Sequence, residues 1–394
     1  MTPAARVQAA IELLDEIIEA ALHAGAAADT IIARYFKTRR YAGSGDRRAV
    51  RELVYAAIRR CGERPPSGRA ALLGLAQDHP GLLEHFSGSP HGPASVEAGE
   101  AAASASPAPL WLSGRFDPLI DEGELSALLE RAPLDLRVNT LKTTVEGVRQ
   151  ELVEAVPTPL SPIGLRLPDG TLIERHEPWN EGRVEVQDEG SQLLALSCRA
   201  APGMTVVDLC AGAGGKTLAL GAAMENQGRI IASDTDRGRL SRMAPRLQRA
   251  GVLIVEPRLL NPGSELSALD DLRAAADLIL IDAPCSGTGT WRRNPETRWR
   301  LNPHRLSGLV RLQSGLLDIA AELVRPGGVV VYAVCSLLTE EGRGQAEAFA
   351  ARRSSFVSQA PDIRGGRRSG PGHLLSPGHD GTDGFFVARW QAPC

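Results

Sequence analysis

The stretch TVVDLCAGAGGKT, residues 205–217, decides the fold class of this chain. It joins an apolar segment of strand type to a glycine-rich loop, and similar apolar segments recur downstream between stretches with helical periodicity. The continuous apolar runs LILID and VVVYA are typical of strands buried on both faces, which indicates a mainly parallel sheet covered by helices. We therefore predict an α/β doubly wound fold with strands at 205–209, 229–233, 253–256, 278–282, 329–333 and 385–389.

The glycine-rich loop itself indicates which kind of ligand the fold holds, because glycines allow a tight turn and a close approach of the backbone. A phosphate-binding loop needs glycine where Cys210 stands, and a dinucleotide-binding loop needs its third glycine where Thr217 stands. Asp234 ends the next predicted strand and is placed to accept hydrogen bonds from ribose hydroxyls. The pattern favours a nucleoside without a phosphate. A glycine-rich turn that only links strand to helix is the alternative.

Two cysteines follow predicted strands of this sheet. Cys285 lies in DAPCSGTG, after the strand at 278–282, and Cys335 lies in YAVCS, after the strand at 329–333. In a doubly wound fold ligands bind beyond the carboxyl ends of the strands, so both thiols are expected beside the glycine-rich loop. Taken singly, either cysteine is also consistent with a small buried hydrophobic residue. The presence of two at the same edge favours thiol chemistry.

A thiol at this edge explains how the site could modify a pyrimidine. Carbon 5 of cytosine is a poor nucleophile until a thiolate adds to carbon 6 and converts the ring into an enamine. The thiol must first lose its proton, which a neighbouring cation such as Lys216 or a sulfonium group favours. Asp282 is placed to hydrogen-bond the base and to help protonate the ring nitrogen. A base must then remove the proton from carbon 5, and Cys285 is a candidate participant in this release.

Successive segments of the chain resemble, in order, those of the RNA cytosine-5 methyltransferases of the Sun/Fmu (RsmB) and Nop2/NSUN group. Over about residues 184–392 they read VQDEGSQL, DLCAGAGGKT, SDTDRGRL, DAPCSGTGTWRRNPETRWRL, YAVCSLLTEEG and HDGTDGFFVARW. The resemblance implies a Rossmann-like domain that uses S-adenosyl-L-methionine to methylate cytosine in RNA, with Cys335 as the nucleophile and Cys285 in product release. The implied cofactor contacts are Cys210, Ala211, Gly212, Ala213, Gly214, Gly215, Lys216, Asp234 and Asp282.

This sequence departs from the family pattern at two points. The second cysteine motif has Val334 where the usual form has threonine, so a local hydroxyl is missing. The segment EPRLLNPGS, after the third predicted strand, lacks the acidic residue that usually approaches the adenine. We expect the backbone or Asn261 to take over that contact.

The chain before the catalytic domain is predicted to contain a helical part and a small mixed part. An apolar stripe predicts the first helix, at Val7, Ile11, Leu14, Ile18 and Leu22. Asp46 is placed to cap a later helix, and the segment GDRRAVRELVYAAIRR around it resembles the NusB-related N-terminal domain of the bacterial small-subunit ribosomal RNA enzymes in this group. LDLRVNT resembles the small domain that precedes their catalytic one. We expect a helical RNA-binding domain at 1–95, a linker at 96–109, a small α/β module at 110–187 and the catalytic domain at 188–394.

A basic and aromatic segment supplies the candidate RNA contacts. The formal net charge is −3, so a polyanion has to be held by a local basic patch. The segment WRRNPETRWR, residues 291–300, combines arginines, which bind phosphates, with tryptophans, whose faces stack on unpaired bases. A solvated loop with its tryptophans packed into the core is the alternative. The candidate RNA-binding residues are Arg292, Arg293, Arg298, Trp299 and Arg300.

Composition limits compartment and partners. The chain has no run of 18 or more apolar residues, and its acidic first helix does not have the pattern of a secretion signal. The six cysteines lack the spacing of zinc ligands and of a disulfide framework, which indicates free thiols in a reducing compartment. We expect a cytoplasmic protein, favour a monomer, and expect small-subunit (16S) ribosomal RNA as partner, with no metal and no membrane.

Other functions remain open from the sequence. In a DNA cytosine-5 methyltransferase the cysteine that follows proline attacks, which would make Cys285 the nucleophile. A non-catalytic RNA-binding assembly factor would rely on the NusB-like domain and keep the cofactor fold as a vestige. A cytosine in transfer RNA is an alternative substrate. A hydrolase has little support because the chain contains no Gly-x-Ser-x-Gly elbow and no histidine in the cysteine motifs.

Overall fold

The structure is a computed structural model that describes residues 1–23 and 25–394. These residues form two compact units: the first comprises Met1–Phe116, Asp121–Arg131 and Thr290–Arg305, and the second comprises Asp117–Ile120, Ala132–Gly289 and Leu306–Cys394. Within the described residues, no helix combines the length and the apolarity needed to cross a bilayer.

The α-helices are α1 (Pro3–Leu22), α2 (Ala28–Thr38), α3 (Ser44–Arg60), α4 (Gly68–Asp78), α5 (Glu122–Ala127), α6 (Val145–Glu151), α7 (Glu177–Asn180), α8 (Glu189–Ser197), α9 (Gly215–Ala223), α10 (Arg237–Ser241), α11 (Met243–Ala250), α12 (Glu265–Ala268), α13 (Pro303–Leu323), α14 (Arg343–Arg352) and α15 (Pro377–Asp380). The strands are β1 (Leu134–Val138), β2 (Val156–Pro157), β3 (Gly164–Leu167), β4 (Val184–Val186), β5 (Thr205–Asp208), β6 (Arg229–Asp234), β7 (Val255–Leu259), β8 (Ala276–Asp282), β9 (Val324–Val334), β10 (Val357–Gln359), β11 (Arg367–Ser369), β12 (Gly372–Leu375) and β13 (Phe385–Gln391).

The first unit is a bundle of α1 to α4, as the helical pattern predicts. Helix α1 begins at Pro3, where Thr2 accepts a hydrogen bond from the Ala5 N–H at 3.2 Å. Four residues of its predicted stripe are buried, and the fifth, Leu22, is 49% exposed. Asp46 lies in the first turn of α3 and accepts the Gly43 N–H at 3.2 Å, so it caps this helix from within.

The segment 96–109, predicted as a linker, packs within the first unit. The Ala103 N–H donates to the Ala70 carbonyl at 2.9 Å, and the Arg60 guanidinium donates to the Ala103 carbonyl at 2.6 Å. Arg69 also pairs with Glu100. Polar contacts from α3 and α4 thus hold this segment in place. Because it needs no apolar face of its own, its composition resembles that of a linker.

A small antiparallel sheet with the strand order β2-β3-β1-β4 opens the second unit. Its core contains Leu136, Val138, Leu165 and Val184, all at most 1% exposed. The sheet begins at residue 134, whereas the small module is predicted to begin at 110. Residues 110–116 and 121–131 instead belong to the first unit.

The large sheet of the second unit has nine strands in the order β11-β12-β13-β9-β8-β5-β6-β7, with β10 paired to β13. Strands β5 to β9 are parallel to one another, whereas β10 to β13 form antiparallel pairs, including the pair that joins β13 to β9. The sheet is therefore doubly wound as predicted, but it is mixed rather than mainly parallel. A continuous apolar run identifies a strand at 385–389 and carries no information about its direction.

Strand β7 lies two residues further along the chain than predicted. Leu253 is 82% exposed, and its N–H donates to the side-chain oxygen of Asn226 at 2.9 Å instead of to a strand. The strand contains Pro257. Proline has no backbone N–H to donate within a sheet. Because β7 is the edge strand, the absence of this donor at Pro257 destabilises the sheet little.

Candidate active site

Four parallel strands deliver the predicted catalytic and cofactor residues to one edge of the large sheet. The glycine-rich loop follows β5, Asp234 ends β6, Asp282 ends β8 and Cys335 follows β9. These strands are neighbours, in the order β6-β5-β8-β9. The carboxyl ends of adjacent parallel strands meet at one edge, so the structure brings these residues together from distant positions in the chain.

The glycine-rich loop is shaped by two left-handed glycines and anchored by Asp234. Gly212 and Gly214 have φ values of 56° and 84°, and a Cβ at Gly214 would lie 2.7 Å from Cγ of Met243. The Gly212 N–H donates to Oδ2 of Asp234 at 2.8 Å, and the Asp236 N–H donates to Oδ1 at 2.7 Å. Each carboxylate oxygen has one backbone donor and keeps a further acceptor position, since Nη1 of Arg239 lies 3.8 Å from Oδ2, beyond hydrogen-bond distance. A ribose hydroxyl fits these remaining positions, so the residues suit a nucleoside.

Two arginines hold the carbonyls of the same loop. Arg246 donates to the Ala213 carbonyl at 2.7 Å and to Glu185 of β4 at 2.9 Å. Arg137, from β1, is 2% exposed and donates to the Gly215 carbonyl at 2.8 Å. The small sheet therefore helps to fix the cofactor loop, a role for the LDLRVNT segment that the sequence does not reveal.

Lys216 and Asp282 form an ion pair beside the loop, with 2.6 Å between Nζ and Oδ2. Burial acts to lower the pKa of Lys216. The charge and hydrogen bond of Asp282, with smaller contributions from Cys335 and Asp208, outweigh burial, so the pKa of Lys216 lies above its ordinary value. The site therefore keeps a permanent cation at neutral pH.

The two thiols lie side by side, with Sγ of Cys285 and Sγ of Cys335 separated by 3.3 Å. The hydrogen bond with Cys335, together with burial, raises the pKa of Cys285 well above the ordinary value. Burial, reinforced by carboxylates, also raises the pKa of Cys210 well above that value. Cys285 and Cys210 are therefore neutral thiols at physiological pH. Among the described residues, no group of three or more His, Cys, Asp or Glu side chains is arranged to hold a metal ion.

The two departures from the family pattern lie at defined positions. Val334 is fully buried at the end of β9, opposite Phe386 of β13, where an apolar side chain packs well. After β7, the buried residue is Leu260, whose N–H donates to the Asp234 carbonyl at 2.9 Å. Asn261 is exposed.

Three further residues at this edge are not identified by the sequence reasoning. Asp208 is fully buried and accepts the hydroxyl of Thr217 at 2.7 Å. Glu341 is fully buried behind the two cysteines. Phe385 lies with its ring centroid 5.7 Å from Nζ of Lys216. The sequence features that could have pointed to these three residues are an acidic residue two positions before Cys210, an acidic pair in YAVCSLLTEEG and the double phenylalanine of HDGTDGFF.

Asp208 should make stability depend on pH. Burial raises its pKa from 3.8 to about 7, so the folded state keeps a proton that the unfolded state releases. This contribution to stability is fully present below the unfolded pKa and is lost as the pH rises through about 7. The asparagine of Asp208→Asn is neutral at every pH, so this variant does not lose stability as the pH rises. The difference in free energy of unfolding, variant minus unaltered protein, should therefore increase by about 3 kcal/mol from pH 5 to pH 8. Thermal unfolding at both pH values measures this change.

Asp277→Asn is the matched control for this substitution. Burial acts to raise the pKa of Asp277, but the Thr205 N–H and Arg325 outweigh it and lower the pKa. Its charged form therefore stabilises the fold at pH 8, and Asp277→Asn should destabilise the protein there. An Asp208→Asn effect of equal size at pH 5 and pH 8 would contradict the buried, protonated carboxyl.

The structure corrects the RNA-binding prediction for three residues of the segment 291–300. Arg298 is fully buried and donates to the carbonyls of Ile58 and Arg59 at 2.8 and 2.9 Å. Trp299 is 4% exposed and donates to the Cys61 carbonyl at 2.8 Å, and Arg292 is 6% exposed. All three side chains are buried. The packing of Trp299 agrees with the alternative interpretation, whereas the burial of Arg292 and Arg298 fits neither a solvated loop nor an RNA-binding one.

The two other residues of this set are partly exposed. Arg300 donates to the carbonyls of Gly25 and Ala26 at 3.0 and 2.7 Å, so it also supports the helical unit. Arg293 is partly exposed as well. Candidate RNA contacts in this segment are therefore reduced to Arg293 and Arg300.

The strand order, the glycine-rich loop after β5 and the acidic end of β6 together define a Rossmann-like, S-adenosylmethionine-dependent methyltransferase fold. The family model described as 16S rRNA methyltransferase RsmB/F matches residues 195–391. The chain belongs to the RsmB/F family.

Curated relatives carry names that agree with this family. A Synechocystis protein named "Probable ribosomal RNA small subunit methyltransferase B" is 35% identical over 71% of this chain and 66% of its own length. A Xylella fastidiosa protein named "Ribosomal RNA small subunit methyltransferase B" is 37% identical over 71% of this chain and 68% of its own. The match thus spans about two thirds of the length of these relatives.

Solved structures have the same fold. The crystal structure of PH0851 is similar over 98% of both chains, with a TM-score of 0.78 and 24% identity, and this likeness concerns the fold alone. A methyltransferase homologue from Pyrococcus horikoshii is 27% identical, with a TM-score of 0.60 over 68% of this chain and 90% of its own.

Proposed function

We propose that this protein methylates carbon 5 of a cytosine in small-subunit ribosomal RNA, using S-adenosyl-L-methionine. The observation that carries the proposal is the pair of sulfur atoms 3.3 Å apart, next to the Lys216–Asp282 ion pair at the cofactor edge. A DNA enzyme of the rival kind needs one attacking cysteine, whereas two adjacent thiols suit a reaction in which one adds and the other assists release. The names of the curated relatives support ribosomal RNA as the substrate class.

Each residue of the site has a defined task in this proposal. When bound, S-adenosyl-L-methionine supplies a methyl group on a sulfonium. Cys335 loses its proton and adds to carbon 6 of the cytosine, and Asp282, hydrogen-bonded to the base edge, relays the proton to the ring nitrogen. Lys216 favours the thiolate electrostatically. Cys285 lies beside this adduct. Once it has given up its own proton, its sulfur accepts the proton from carbon 5 as the bond between carbon 6 and Cys335 breaks.

The target cytosine should be outside a duplex, because a thiol does not reach carbon 6 within stacked base pairs. We expect faster methyl transfer to a cytosine in a hairpin loop of small-subunit ribosomal RNA than to the same cytosine in a perfect duplex. The measurement is incorporation of radioactive methyl groups by the purified protein. Transfer RNA and single-stranded DNA of equal length serve as the substrate controls.

Equal rates on the hairpin loop and the duplex would contradict the flipped-base geometry. Faster methylation of transfer RNA or DNA would contradict the ribosomal substrate. Calorimetry that detects no S-adenosyl-L-methionine binding would instead favour a non-catalytic assembly factor.

A further inference from the structure

Each cysteine of the site is followed by a serine that is buried. Ser286 follows Cys285, and Ser336 follows Cys335. The serine hydroxyl oxygens lie 3.1 Å apart, just as the preceding sulfurs lie 3.3 Å apart. The two dipeptides are therefore aligned side by side, with a sulfur pair and a hydroxyl pair held at similar separations.

Glu341 joins the two serines. Its side chain is fully buried, and its Oε2 accepts hydrogen bonds from the hydroxyls of Ser336, at 2.6 Å, and of Ser286. Its Oε1 accepts the Ser286 N–H at 2.9 Å and the Gln313 amide at 3.0 Å. A buried carboxylate is stable only with such donors, and here both cysteine loops supply them.

Glu341 is itself held from two further elements. The Tyr332 hydroxyl, on β9, donates to the Glu341 carbonyl at 2.6 Å. Gln313, on α13, also donates to the Pro284 carbonyl at 2.9 Å, next to Cys285. The carboxylate is therefore fixed relative to both strands that deliver the cysteines. Neither oxygen faces solvent, so Glu341 has no direct access to a substrate.

We propose that Glu341 is the positioning residue that holds the two thiols in contact. By bonding both serines it adds a buried link between the Cys285 and Cys335 loops. This link supplements the serine and Thr288 hydroxyl contacts and the Gly289 N–H that donates to the Cys335 carbonyl at 3.1 Å. The catalytic consequence rests on the proposed function. There, Cys285 must lie against the adduct formed by Cys335, so loss of Glu341 slows release more than addition.

The separation of the thiols can be measured without the methylation reaction. Diamide oxidises two adjacent thiols to a disulfide: the sulfurs lose two electrons and two protons, which reduce the diamide to a hydrazine. Mass spectrometry of peptides then measures how fast Cys285 becomes linked to Cys335. We expect rapid linkage in the unaltered protein and linkage slowed about tenfold or more in Glu341→Ala, because proximity sets the effective concentration of one thiol for the other.

The conservative variant Glu341→Gln should largely restore the rate. Its amide oxygen can accept from the Ser286 N–H and Gln313, while its amide hydrogens donate to the two serine hydroxyls, which also accept. Glu189→Ala is the matched control. Glu189 is equally buried and bonds the N–H groups of Leu160 and Ser161, away from the cysteine loops. Should Glu341→Ala fail to fold, the double variant Ser286→Ala, Ser336→Ala replaces it.

Three outcomes would overturn the proposal: no linkage in the unaltered protein, full-rate linkage in folded Glu341→Ala, or equal slowing by Glu189→Ala. A persistent protein–RNA adduct in Glu341→Ala would support the consequence for release. If linkage behaves as expected but the unaltered protein transfers no methyl group, the proposed function fails while the positioning role stands.

Discussion

Replacing Cys335 with alanine is expected to reduce methyl transfer by about a thousandfold or more and to remove the covalent adduct with RNA. The substitution deletes the proposed nucleophile for carbon 6, and loss of a nucleophile leaves only the contribution of binding. Fold and cofactor binding should be unchanged, because Cys335 contributes one partly buried sulfur at the end of β9. The measurements are methyl transfer and trapping of the adduct on RNA that contains 5-fluorocytosine.

Cys285→Ala is the matched control because it removes the other sulfur of the same pair. This variant should still form the adduct but release product slowly, so the adduct should accumulate. An adduct that survives Cys335→Ala but not Cys285→Ala would reverse the two roles, as in a DNA cytosine-5 methyltransferase. Full activity of Cys335→Ala would contradict covalent catalysis at this position.

Asp282→Asn is expected to lower methyl transfer by about 10²- to 10⁴-fold, the usual contribution of a group that manages a proton in the transition state. It should also shift the alkaline limb of the remaining activity to lower pH. In the unaltered protein the charge of Asp282 holds the pKa of Lys216 above its ordinary value. Without that charge the effect of burial is less opposed, so Lys216 should lose its proton at a lower pH.

Lysine-labelled protein allows this shift to be observed directly by NMR, since the chain contains only Lys37, Lys142 and Lys216. The first two lysines are the internal reference, and their titration should not change in Asp282→Asn. An unchanged titration of Lys216 would refute the electrostatic coupling of the ion pair. A normal rate of methyl transfer in the variant would refute the proton-handling role of Asp282.

The sequence predicted much of the catalytic edge because its signals are local. A glycine-rich loop after an apolar strand, and cysteines directly after two later strands, can be recognised from neighbouring residues alone. The rule that ligands bind beyond the carboxyl ends of parallel strands then placed Cys285, Cys335, Asp234 and Asp282 together. The structure gives the same grouping, with the sulfurs in contact.

The segment 291–300 shows where such local reasoning fails. Arginine interleaved with tryptophan is compatible with RNA binding and equally with burial, and composition does not distinguish the two. In the structure, backbone carbonyls at Ile58, Arg59 and Cys61, more than 200 residues earlier, accept the polar hydrogens of Arg298 and Trp299. These carbonyl acceptors compensate for the loss of hydration when the arginine is buried. They lie too far away in the chain to be recognised from the residues around position 298.

The sequence by itself predicted six of the nine strands of the large sheet, the cofactor loop and the two thiols at its edge, because periodicity and turn chemistry act between near neighbours. Only the tertiary structure decided that β13 runs antiparallel to β9, that Arg137 and Arg246 hold the cofactor loop, and that Glu341 bonds the serines behind both cysteines. Each of these depends on which distant backbone and side-chain donors meet in the folded chain, and hydrogen bonds between distant residues leave no periodic trace in the sequence.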